Sequence, residues 1–237
     1  MLLIKVAYFI LCALCVFVVS RGMRYGIQHA DLAHEAGKRY TRTFFLLVLG
    51  WTALISALSL SGFLANFSAF PPRMTLILMP PMIAILVYTI RSVQLKSILQ
   101  QIPVQWLIYL QSFRVLVELL LWQQYEQGVT PIQMTFEGRN FDILVGLTAP
   151  IMAYLYTKKG TQLRKVAIVW NFFGLAMLFN ILIIAILSFP TRMRYFMNEP
   201  SNYLVAEFPF VWLPGILVTL AYSLHFFSLK QLLSKSS

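Results

Sequence analysis

Seven runs of mostly apolar residues divide the chain, at about 2–20, 43–66, 74–94, 105–125, 140–157, 166–189 and 208–229. Each is close to the ~20 residues that a helix needs to cross a hydrocarbon core. Between the runs lie short polar stretches rich in Lys, Arg, Gly and Pro. The pattern predicts an all-α membrane protein of seven transmembrane helices, folded as a single domain over 1–237.

The fourth run breaks the apolar pattern. It carries Gln111, Arg114 and Glu118 near its middle, and at 100° per residue these three share one face. A charge at the bilayer centre costs roughly 2.5–3.5 kcal/mol on insertion scales, so such residues normally face protein or water and have a partner. Arg114 and Glu118 are i,i+4 and predict an intrahelical ion pair, although Arg before Glu is the less favourable order.

Charge sets the expected orientation. The connections 21–42, 91–104, 158–165 and 230–237 hold thirteen Lys or Arg, and the alternate connections 67–73, 126–139 and 190–207 hold four. Under the positive-inside rule the N-terminus lies outside and the C-terminus inside. Trp51, Trp106, Trp122, Trp170 and Trp212 fall toward the ends of the runs, as interfacial aromatic belts do.

Composition agrees. The chain has 237 residues, of which 59% are hydrophobic and 11% charged, with a mean hydropathy of +0.74. A soluble domain carries about 25% charged residues. The net charge of +11 is spread as punctuation between apolar runs, without the basic stripe that nucleic acid requires. Cys12 and Cys15 form a C-x-x-C inside the first run, where small apolar packing explains them better than redox or zinc chemistry. His29, Asp31, His34 and Glu35 do not converge on a helix, so no metal site is expected. No cofactor is implied either.

A repeat is hidden in the pattern. Trp51 to Phe70-Pro71-Pro72-Arg73 and Trp170 to Phe189-Pro190-Thr191-Arg192 both read W-x18-F-P-x-R. Pro80 and Tyr88 then match Pro214 and Tyr222 in spacing. The expectation is a 3+1+3 parallel repeat, with halves 1–94 and 140–230 and the charged helix 105–125 as linker. Its layout is similar to that of SWEET-type transporters, without their Pro-Gln pairs.

Other polar residues reach toward the depth of Arg114. Asn180 lies about nine residues from the outer end of the sixth run, and Asp142 opens the fifth. Pro80, Pro81, Pro150 and Pro214 are expected to break or kink their helices and free backbone carbonyls. The set predicts a ligand site of Arg114, Glu118, Gln111, Asn180 and Asp142, with Glu137 and Arg139 at its outer mouth. Asn171 and His225 fall nearer the inner face, where a lone His is more often packed or snorkelling. Catalytic signatures such as H-E-x-x-H, G-x-S-x-G and the phosphate-binding G-x-x-x-x-G-K are missing, so no catalytic residue is assigned.

Two runs carry a resemblance. Phe136-Glu-Gly-Arg-Asn-Phe-Asp142 with Thr148-Ala-Pro150, and Phe208-Pro-Phe-Val-Trp-Leu-Pro-Gly215, resemble a family of small, uncharacterised bacterial seven-helix membrane proteins. The likeness runs from about residue 70 onward. It implies a multi-pass protein of the bacterial inner membrane and brings no site residues.

The function expected from the residues is binding, and transport, of a small polar or anionic solute at the Arg/Glu/Asn cluster. Two alternatives stay open. One is a receptor-like or scaffold protein with a structural Arg–Glu pair, whose basic inner loops dock a protein partner or anionic lipid. The other is an intramembrane enzyme on a lipid head group. The bilayer is the expected partner, and a homo-oligomer is left open.

Overall fold

The computed structural model describes residues 1–234 and is helical throughout, with no strand among the described residues. Helices α1 (Leu2–His29) and α2 (His34–Leu60) begin the chain, followed by α3 (Thr75–Arg91) and the short α4 (Val93–Gln101). Next come α5 (Val104–Leu110), α6 (Phe113–Glu126), α7 (Ile143–Lys159) and α8 (Arg164–Leu187). A π-helical stretch (Leu213–Val218) then runs directly into α9 (Thr219–Ser234).

Five helical stretches are long and apolar enough to cross a membrane, and six if the bent α3–α4 pair counts as one. One of the five, Ile143–Leu187, holds α7 and α8 together. It folds back on itself at Gly160, whose φ of +53° suits a residue without Cβ. Trp170 Nε1 donates to Thr148 Oγ1 at 3.0 Å and Asn180 Nδ2 to the Arg139 carbonyl at 2.9 Å, so the two helices run antiparallel.

The polar stretch 21–42 is mostly helical: α1 and α2 each extend into it and are separated by a short turn at residues 30–33. Gly26 lets α1 approach α4 closely, since a Cβ there would sit 2.8 Å from side-chain carbons of Ile98 and Ile102.

The four prolines named as breaks do not end helices. Pro80 and Pro81 lie inside α3, Pro150 inside α7, and Pro214 starts the π-helical stretch. Pro80, Pro81 and Pro150 each remove one helical hydrogen bond, while Pro214 lies in a first turn where its missing N–H costs none. The sharp bend, 83°, falls instead between α3 and α4. There Ser92 is extended and its Oγ accepts from Leu95 N, capping α4. Ile102, extended before Pro103, ends α4. Gln231 Nε2 then satisfies the carbonyls of Leu99 and Ile102 from α9.

The core is built around α9, which packs against α3, α5 and α8. In 213–234, 56% of the apolar window is buried in the protein, against 11% for α2. Helix α2 therefore stands off from the bundle and touches mainly α1 and the π-helical stretch.

The two halves of the sequence repeat sit in unlike surroundings. Trp51 Nε1 donates to the Gly215 carbonyl, whereas Trp170 reaches Thr148. Phe70 is exposed while Phe189 is buried. These contacts give the repeat no support.

Candidate functional site

Helices α5 and α6 form one 23-residue stretch, Val104–Glu126, that tightens in the middle. Gln111 N bonds the Ile108 carbonyl, Ser112 N that of Tyr109, and Arg114 N that of Gln111, all i→i−3. This turn aims Arg114 sideways out of the helix, where it is 1% exposed.

The expected ion pair with Glu118 does not form. Arg114 instead grips Asp142 at the start of α7 with a two-pronged contact: Nε donates to Oδ2 at 2.6 Å and Nη2 to Oδ1. A guanidinium fork matches both oxygens of a carboxylate approached in its plane. A residue one turn away on the same helix offers that approach poorly. Arg114 Nη1 also meets His225 Nε2 at 3.0 Å, and Nη2 reaches the Gly174 carbonyl at 3.4 Å.

The contacts around His225 fix its tautomer. Asn171 Nδ2 donates to the Ala167 carbonyl and to Ser228 Oγ, which leaves Asn171 Oδ1 as an acceptor. His225 Nδ1 lies 2.9 Å from that oxygen and so carries the proton. Its Nε2 then offers a lone pair to Arg114. One guanidinium thereby joins α6, α7, α8 and α9.

Two glycines make this approach possible. A Cβ on Gly174 would lie 2.3 Å from His225 Cε1, and one on Gly146 would lie 2.8 Å from Val115 N. Helices α7 and α8 can close on α6 and α9 only where those side chains are missing.

Glu118, also 1% exposed, takes a different partner. Asn140 Nδ2 sits 2.7 Å from each of its oxygens and 3.0 Å from the Met134 carbonyl. Asn140 Oδ1 accepts from the backbone N–H of Asp142 at 3.1 Å, so one amide ties the Glu118 carboxylate to the start of α7. Gln111 ties α5 to α9 through Nε2 and the Ala221 carbonyl at 2.9 Å. Its Oε1 is buried with no hydrogen-bond partner among the described residues.

Of the site expected from sequence, Arg114, Asp142, Glu118 and Gln111 belong to this buried region. Asn180 does not; it is half-buried and holds the Arg139 carbonyl. Glu137 is exposed and accepts from Trp122 Nε1, and Arg139 lies over the Phe196 ring. Sequence reasoning left out His225, Asn171 and Asn140. For Asn140 a signal existed, because it sits two residues before Asp142, as a side chain bonding the following backbone does.

Every donor-bearing nitrogen of Arg114 is engaged, so an incoming anion would have to displace Asp142. The ligand-sized space lies elsewhere. A cavity of about 870 Å³ runs between α1, α5 and α7, and another of about 710 Å³ lies between α2, α3 and α9. Arg114, Glu118, Asn140, Asp142 and His225 line neither. The second cavity reaches from Trp51 and Gly215 to Arg39, Tyr40, Tyr88 and Gln94, with Arg39 the charged residue in its wall.

The opposite end of the bundle is closed by ordered loops. Gln133 Nε2 donates to Ser188 Oγ, Asn198 Nδ2 to Gln133 Oε1, and Ser59 Oγ to the Ala206 carbonyl. Tyr8 OH and Thr130 are joined through Gln124.

These features define an all-helical bundle with several helices able to span a membrane, a closed polar centre and cavities toward one end. The chain belongs to the family described as domain of unknown function DUF8737, which matches residues 71–233. The match takes in the whole polar centre and the α3 and α9 walls of the second cavity, while α1 and α2 precede it. No curated protein matches the chain, and no solved structure does.

Proposed function

We propose that this is a ligand-binding protein of the bacterial inner membrane whose binding space is the cavity behind α2. The observation that carries this reading is that 710 Å³ space with the exposed Arg39 in its wall. Its size falls within the ~300–1,000 Å³ typical of small-molecule sites. The Arg114 network is then the rigid centre that holds α6 to α9 in register, as the scaffold alternative requires. An anionic ligand is the class favoured, because Arg39 is the charged residue of the lining and Tyr40, Tyr88 and Gln94 add hydrogen-bonding groups.

The membrane arrangement belongs to the same proposal. Seven spans follow if α3 crosses with α4 as its bent foot and α7 and α8 cross separately. The antiparallel contacts of Trp170 and Asn180 support that count. The basic ends, including Arg39, Arg91 and Lys159, face the cytoplasm with the C-terminus, and the N-terminus lies outside.

Mass spectrometry of small molecules retained by the detergent-purified protein tests the reading. A bulky Ala84→Trp substitution in the cavity wall should abolish the retained species while leaving the thermal transition in place. An unchanged complement of bound molecules would remove the cavity as the site.

A further inference from the structure

Three properties of the α2 cavity point beyond an unspecified anion. The first is length. Along α2 the lining runs from Ala36 to Thr52, sixteen positions or about 24 Å at helical rise. That is close to the ~20–22 Å of a single leaflet with its head groups, half of a ~40–45 Å bilayer.

The second is a gradient of polarity. Arg39, Tyr40, Tyr88 and Gln94 gather at one end, and Phe44, Leu47, Ile85 and Ile216 line the stretch beyond, together with Thr52, Thr219 and Ser223, whose hydroxyls bond carbonyls of their own helical turns. A soluble anion would have no use for the apolar length, and a neutral hydrocarbon none for the cationic end.

The third is access. Helix α2 is buried over only 11% of its apolar window. Near the basic end it is held to α3 by the Tyr40 and Tyr88 hydroxyls, 2.6 Å apart. The α2 side of the cavity is thus largely exposed, polar where a head group would lie and apolar behind. Tyr at this level is the residue type that sits at head groups.

We infer that the cavity holds an anionic phospholipid taken from the cytoplasmic leaflet, its phosphate at Arg39 and one acyl chain lying between α2 and α9. The inference rests on the cavity being the ligand site. Both kinds of lipid carry the phosphate that Arg39 would bond, so Arg39 discriminates between them through net charge alone. Selection of anionic over zwitterionic lipid should therefore be about fivefold.

The test is native mass spectrometry of the full chain released from phosphatidylcholine vesicles with and without phosphatidylglycerol. The expected result is one phosphatidylglycerol retained under conditions that strip phosphatidylcholine. Arg39→Gln should lose this preference of about fivefold, and Ala84→Trp should lose the bound lipid. Inorganic phosphate should not displace it, and displacement would overturn the lipid assignment in favour of a free anion. Equal retention of both lipids, abolished by Ala84→Trp, would overturn the anionic class while leaving the cavity as the site. Retention unaffected by Ala84→Trp would mark surface lipid and overturn both readings. A Leu47→Trp variant gives the same comparison if Ala84→Trp fails to fold.

Discussion

Removing the Asp142 carboxylate should be among the most destabilising single changes in the chain. Arg114 is 1% exposed and Asp142 5% exposed, and the carboxylate takes two of the guanidinium's contacts. In Asp142→Ala the cation stays buried with His225 Nε2 and the distant Gly174 carbonyl as its remaining partners. Breaking a buried pair from one side typically costs ~3–5 kcal/mol, because the uncompensated charge remains. At about 2–4 °C per kcal/mol for a chain of this size, the thermal transition in detergent should fall by about 6–20 °C. Replacing both partners with apolar residues, as in Arg114→Met with Asp142→Leu, should recover most of that loss. A double-mutant cycle gives the coupling directly, and Arg114 with Asp142 should show about 2 kcal/mol or more. The same cycle with Glu118 should give less than about 1 kcal/mol, since Glu118 is held by Asn140. A larger coupling of Arg114 to Glu118 than to Asp142 would refute the reasoning.

Four further outcomes follow from particular contacts. Gly174→Ala should cost ~1–3 kcal/mol by overpacking, because its Cβ would meet His225 at 2.3 Å, and a thermal-shift measurement should show partial recovery with His225→Ala. Glu118→Gln keeps an oxygen acceptor for Asn140 and should unfold at a higher temperature than Glu118→Leu, which keeps none; the reverse order would show that the Asn140 contact is idle. Gln231→Ala strips two carbonyls of their partner and should cost ~1–3 kcal/mol, read as faster amide exchange at the end of α4. The Arg194 hydrogen bond holds the Glu199 carboxyl below its usual range. Its small stabilising contribution is therefore present above the unfolded-state value near ~4.3 and lost as pH falls through the lower folded one. Carbon-13 titration of Glu199 should show the shift, and Arg194→Ala should remove it.

The helices were legible because hydrocarbon-length apolar runs leave few alternatives. The turn at Gly160 and the stop at Pro103 could likewise be read from single residues. The bend at Ser92 could not, because an extended residue between two apolar helices has no compositional mark. Of the break or kink expected at the prolines, the break did not occur, because a long helix tolerates a lost hydrogen bond when its flanking turns hold.

Within the site, the face carrying Gln111, Arg114 and Glu118 was visible from helical spacing, and Asp142 was recognised as polar at depth. What spacing could not give is which partner Arg114 selects. That choice depends on an i→i−3 turn at Gln111–Arg114 and on close approach at Gly146 and Gly174, which are tertiary facts. His225 was placed too near the inner face because depth counted along one helix does not transfer to another that starts and tilts differently. The cavity behind α2 was invisible for a related reason. It exists because α2 stands away from α3 and α9, and nothing in its apolar sequence distinguishes standing off from packing in.

The most direct measurement compares thiol accessibility at the cavity and at the polar centre of the reconstituted protein. With Cys12 and Cys15 replaced by Ala, single Ser223→Cys and Val145→Cys variants would be exposed to a water-soluble maleimide on the side of Lys159. Ser223 is on the cavity wall, and Val145 is fully buried one turn from Asp142. Labelling at 223 that is blocked by Ala84→Trp, with 145 unlabelled, is the expected result. Labelling at 145 as fast as at 223 would mean that the Arg114 centre is open to solutes, and would contradict its role as a closed structural hub.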